Sequence, residues 1–172
     1  MTRRVGFGRL FGVVLIGALF LAAASAAAGQ YETLTPLLAD LDGWAGEAPE
    51  GMDMDMGNMK MVQAMREYAR DNQSLNAMIM VGHSAMAQGQ MQSGSMESDE
   101  ARVQVQKIDG FHVVQQYAKK EAEGAVVVSL SGAGEKGAQF ILHYTGLKPE
   151  HALALSKKFD WRKLQKATQK MK

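Results

Sequence analysis

Residues 61–81 read MVQAMREYARDNQSLNAMIMV. Val62, Ala64, Arg66 and Tyr68 alternate with Met61, Gln63, Met65 and Glu67. Beyond Asp71-Asn72-Gln73-Ser74, Leu75, Ala77, Ile79 and Val81 alternate with Asn76, Met78 and Met80. Successive side chains of a strand point to opposite faces, so each run reads as a strand with one apolar face. The polar, turn-forming residues between them join the two as a hairpin. A tight turn at Asn72-Gln73 sets Tyr68 opposite Ala77, Arg66 opposite Ile79 and Met65 opposite Met80.

Downstream, residues 82–100 (GHSAMAQGQMQSGSMESDE) are small and polar, and read as a short helix near 84–92 fading into a flexible link. Strands follow at 111–117, after Asp109-Gly110, at 125–130 and at 139–144, the last two joined by a glycine-rich hairpin loop at 131–137. Lys148-Pro149 opens a helix with Leu155 and Phe159 on one face, and Asp160 caps a final turn or two carrying Trp161, Leu164 and Met171. Upstream, Leu34, Leu37, Leu38 and Leu41 make one helical stripe with Pro36 in its first turn. Gly43 stops that helix, and Trp44 follows as a core anchor. Residues 45–58 (AGEAPEGMDMDMGN) are polar and aperiodic, which reads as a loop, so that a Met-rich loop spans about 45–61. The expected architecture is α+β: a single antiparallel sheet of about five strands, with helices at both ends packed on one face.

The chain opens with Arg3, Arg4 and Arg9, no acid, an apolar run from Leu10 to about Ala24, and then Ser25-Ala26-Ala27-Ala28. A basic start, an apolar stretch and A-x-A triplets have the form of a signal peptide over residues 1–28, with cleavage after Ala26 or Ala28. Residues 29–172 are then one domain, exported to the periplasm or beyond, or membrane-anchored if the segment stays attached. With no cysteine among 172 residues, disulfides, zinc thiolates and a thiol nucleophile are excluded. Beyond the signal the charge is uneven: residues 29–100 hold twelve acids and three bases, residues 101–172 six acids and thirteen bases. Seven of those bases lie between Lys157 and Lys172, a place for an acidic partner or anionic lipid to dock; a nucleic-acid partner is not expected.

Leu37-Leu38, Leu41, Gly43-Trp44, Gly46 and Glu47 form an LLxxLxGWxxGE-like opening ahead of a Met-rich segment. In this the chain resembles uncharacterised exported bacterial proteins; the resemblance implies export and a sheet, and no activity. The element order is also similar to small sheet-and-helix modules of the photosystem-accessory type, a likeness of fold that carries no function.

Several motifs fail on physical grounds. Gly132, Gly134 and Gly137 match a dinucleotide fingerprint by letter, but a strand follows where a helix N-terminus must bind the pyrophosphate. Asp53, Asp55 and Gly57 suggest a calcium loop, yet the bidentate glutamate position holds Ala64. The histidines, His83, His112, His143 and His151, show no metal-ligand spacing, although His112 and His143 would meet if their strands paired. Methionine is the anomaly. Twelve follow the initiator, and all but Met171 lie within 52–96. Thioethers are soft, neutral ligands that select Cu(I) over hard cations, and Met-rich segments resembling this one occur in exported copper-handling proteins. The candidate metal ligands are Met52, Met54, Met56, Met59 and Met61, with His83, Met86 and Met91 as further donors. In an extended chain Met52, Met54 and Met56 share one side, Asp53 and Asp55 the other, and Gly57-Asn58 can turn the chain to bring in Met59 or Met61. Two functions are therefore expected: a non-enzymatic exported binding or interaction module of unknown ligand, or a Cu(I)-binding, copper-buffering protein.

Overall fold

The computed structural model describes residues 29–57, 59–82, 93–131 and 137–171. The expected signal segment, most of the 82–100 link including His83, Met86 and Met91, and most of the 131–137 loop lie outside them. The described chain is predominantly β. Its strands are β1 (Ala45–Gly46), β2 (Glu50–Met56), β3 (Met59–Arg70), β4 (Gln73–Gly82), β5 (Gly94–Glu97), β6 (Ala101–Ile108), β7 (Phe111–Ala118), β8 (Glu123–Ser129) and β9 (Ala138–Thr145). They form one antiparallel nine-stranded sheet in the order β1-β3-β4-β9-β8-β7-β6-β5, with β2 sharing the free edge of β3. Two short helices, α1 (Pro149–Ser156) and α2 (Trp161–Gln169), follow the last strand.

The expected α+β fold, with about five strands and helices at both ends, is therefore corrected. The Leu34–Leu41 stripe is not an α-helix but two 3-10 turns, Gln30–Thr33 and Thr35–Leu37. Pro36 withholds an N–H, and a 3-10 turn needs few residues to set side chains at i and i+3 together. Burial is met without the helix: Leu34, Leu38 and Leu41 are all in the core. Residues 45–58, expected as a loop, hold β1 and β2. Asp, Glu and Gly are poor strand formers, but the twelve-residue β3 offers a long edge of unpaired backbone groups that both segments satisfy. The sequence reading has no strand at β6, although Arg102, Gln104 and Gln106 alternate with Val103 and Val105 in the period-2 pattern of one. Its hairpin with β7 turns on Asp109-Gly110, both at positive φ (52° and 95°), the conformation a two-residue hairpin turn requires.

The 61–81 hairpin forms two residues away from the expected register. Tyr68 opposes Leu75, Arg66 opposes Ala77 and Met65 opposes Met78, closing on Asp71-Asn72 with Asp71 at φ 51°. An even shift leaves every side chain on its face. The core lies between the sheet and the helices, where Phe159 meets Phe140 at 5.0 Å and Tyr68 at 6.0 Å, and Trp161 meets Phe111 at 5.8 Å. The Trp161 indole N–H donates to the Ser156 carbonyl at 2.8 Å, and Asp160 caps α2 by accepting from the Lys163 N–H. That bond, from an atom of the helix's first turn, holds the Asp160 carboxyl below the usual carboxylate range. Arg66 faces the core side and reaches past the sheet edge to the carbonyls of Leu38 and Glu47 and the carboxylate of Asp40. Together with the Tyr68 hydroxyl, which donates to Ala39 at 2.8 Å, it ties the 38–47 segment to the sheet.

Candidate binding face

Among the described residues the second face of the sheet carries no helix, and the strand register assigns its residues rung by rung. One rung runs Glu50, Met65, Met78, Ile141, Val127, Val114, Val105. Val114, Val127 and Ala125 are buried here, with Val103, Val105 and Ile141 packed around them, a small second apolar cluster. The next rung runs Glu67, Asn76, His143, Ala125, Gln116, Val103. Beyond it lie Ala69, Ser74, Thr145, Glu123, Ala118 and Ala101.

These last two rungs line a trough of about 760 Å³ that extends from β1 across the sheet to β6. One depression lined from seven neighbouring strands requires the sheet to curl toward this face. The small side chains of Ala69, Ser74, Ala101, Ala118 and Ala125 leave the space; larger residues there would fill it. Within it the Asn76 amide donates to Glu67 at 3.3 Å, while its Oδ1 is shielded from solvent without a partner. A buried acceptor left unpaired costs about 1–3 kcal/mol, which a ligand donor would recover. Acids dominate the lining: Glu47, Glu67 and Glu123 against Arg102, whose guanidinium turns to Glu150 on α1 at 3.8 Å. Behind the trough, on the core face, lies an aromatic pair. Tyr144 stacks on Tyr117 at 6.4 Å across Gly124, and its buried hydroxyl has no partner. Burial pushes the Tyr144 hydroxyl up to about 12.

Sequence reasoning missed this trough. The signal available was the run of small residues alternating outward at Ala69, Ser74, Ala101 and Ala118.

The candidate metal ligands fall elsewhere on the same face. β2 sets Met52, Met54 and Met56 on the helix-free side, with Met54 directly opposite Met61 and Met56 opposite Met59 in β3. The chain turns after β2 at Gly57, at φ 70°. Asp53 and Asp55 point to the other face. Asp53 accepts from the backbone N–H of Gln30 and Tyr31, and Asp55 pairs with Lys60 at 3.3 Å. His112 and His143 do not meet, because β8 lies between their strands; His112 is opposite Lys107. Among the described residues no three His, Cys, Asp or Glu side chains cluster to hold a metal ion.

In α2, Trp161 and Leu164 are buried while Arg162, Lys163, Lys166 and Lys170 are exposed, so the basic face is turned to solvent. Among the described residues no helix is long and apolar enough to cross a membrane. Compared with protein families, curated proteins and solved structures, the chain matches none.

Proposed function

We propose that the chain is an exported, non-enzymatic binding module that carries a small ligand in the trough of its helix-free face. The observation behind this reading is the 760 Å³ space itself, floored by small side chains and holding an unpaired acceptor on Asn76. The ligand chemistry follows from the lining: a largely apolar molecule bearing a cationic or hydrogen-bond-donating group, matched to Asn76 Oδ1 and the carboxylates of Glu67 and Glu123. The basic opening and A-x-A triplets support export.

Native mass spectrometry of protein isolated without denaturation tests the reading. Wild type is expected to carry a bound small mass that Ala69→Trp and Ala101→Trp both lose, since each places an indole in the trough from an exposed position. A bound mass retained equally by both variants would place the ligand elsewhere. No bound mass in wild type, and none acquired on exposure to octylammonium, would remove the trough as a site.

A further inference from the structure

We infer that the β2–β3 hairpin holds Cu(I) through the thioethers of Met54 and Met61, with a third sulfur from Met52 or Met56. This site is distinct from the trough and rests on separate residues.

Methionine on the helix-free face falls on four successive rungs, those of Met65 with Met78, Met52 with Met80, Met54 with Met61, and Met56 with Met59. Met65 and Met78 belong to the rung that continues into Ile141, Val127, Val114 and Val105, so there methionine is one apolar side chain among others, filling space. The rung of Met54 and Met61 ends on Gly82, which contributes no side chain. No aliphatic neighbour continues it. Flanking it, Met52 is 46% and Met56 59% exposed; with Met96 they are the exposed large apolar residues among those described. Leucine or valine at these positions would serve packing as well or better, so packing does not account for the choice of sulfur.

The geometry suits one soft ion. Directly opposed residues of an antiparallel pair stand about 4.5–5.5 Å apart at Cα, and same-face neighbours along a strand about 6.8 Å. Two sulfurs bound to one ion at about 2.3 Å each are at most about 4.6 Å apart, and each sulfur lies two rotatable bonds beyond its Cβ. Met54 and Met61 therefore reach a common point with little strain, and a flanking Met52 or Met56 closes a trigonal set. Asp53 is committed to the Gln30 and Tyr31 amides and Asp55 to Lys60, both on the opposite face, while Glu50 shares the methionine face two rungs from Met54, opposite Met65. A neutral all-thioether set selects a soft monovalent ion over zinc or calcium.

Competition of Cu(I) against bicinchoninate under reducing conditions tests the site in the exported chain. Met54→Leu/Met61→Leu should weaken Cu(I) binding by about a hundredfold or more, given that loss of even outer-shell partners costs 10–100-fold. Met65→Leu/Met78→Leu should leave it within about twofold, because leucine preserves size and apolarity. Thioethers bind no proton, so affinity should be flat between about pH 5.5 and 7.5, the range in which a histidine ligand would lose it. As a measurement independent of variant folding, Ag(I) added to wild type labelled at the methionine methyl carbons should shift Met54 and Met61 at one equivalent. Equal affinity in the Met54/Met61 variant, a steep loss of binding near pH 6, or Ag(I) shifts confined to other methionines would each overturn the assignment.

Discussion

The ring of Tyr144 lies across Gly124 on the neighbouring strand, so closely that a Cβ on that glycine would sit 2.4 Å from the Tyr144 hydroxyl. The missing side chain lets Tyr144 reach over β8 to stack on Tyr117 of β7 at an interplanar angle of 14°. One glycine thus seats an aromatic pair on the core face, directly behind the floor of the trough.

Gly124→Ala should destabilise the protein by about 1–3 kcal/mol, the usual cost of overpacking. The added carbon also meets the backbone carbonyl of Gln116 at 2.4 Å, which cannot rotate away. Urea unfolding measures the change, and ring-current shifts of Tyr117 should collapse as the stack opens. A variant as stable as wild type, with the stack intact, would show that the strand has room the structure denies it.

The two buried tyrosines should respond in opposite directions to loss of their hydroxyls. Tyr68→Phe leaves the Ala39 carbonyl unpaired and should cost about 1 kcal/mol or more. Tyr144→Phe removes a buried hydroxyl that has no partner and should be neutral or stabilising. Paired denaturation curves compare them directly.

Alkaline pH gives a second test of the same residues. Burial raises both hydroxyls to about 12, above the ~10 of an unfolded tyrosine. Below pH ~10 both states keep the proton and stability is intact. Between about 10 and 12 the unfolded chain ionises while the native one does not, so stability falls by about 1.4 kcal/mol per pH unit for each tyrosine. The double phenylalanine variant should lose most of that slope.

Arg66 should prove the main tie of the 38–47 segment. Arg66→Met keeps the apolar stem but strands the carbonyls of Leu38 and Glu47, at about 2–3 kcal/mol. Hydrogen exchange should accelerate over residues 38–47 and at β1, with β7 to β9 unchanged. Uniform acceleration across the sheet would mean that the segment and the sheet unfold as one unit.

The sequence made this last feature partly visible and the sheet only in part. Arg66 stands out as a charge alternating with Val62, Ala64 and Tyr68, yet only the fold supplies the carbonyls it serves. The alternating strands of 61–81 and the apolar runs at 111–117, 125–130 and 139–144 were legible because local pattern and burial agree. β2 was not. Its residues are held by an available edge rather than by their own propensity, and edge pairing is a long-range event that local pattern does not record. β6 carries the alternation but only two valines on its apolar side, a signal too short to stand out. The Leu34–Leu41 stripe shows the converse, where periodicity identified buried residues correctly and the wrong backbone. For the binding face, small outward residues look like featureless surface until seven strands bring them together.

Amide chemical-shift mapping with octylammonium as the probe tests the proposed binding face most directly. The account predicts saturable shifts at Glu67, Asn76, His143, Ala125, Gln116 and Val103, abolished by Ala69→Trp and much weaker with octanoate, whose carboxylate meets Glu67 and Glu123. Shifts confined to α1, α2 and the core face, or octanoate binding as well as octylammonium, would contradict it.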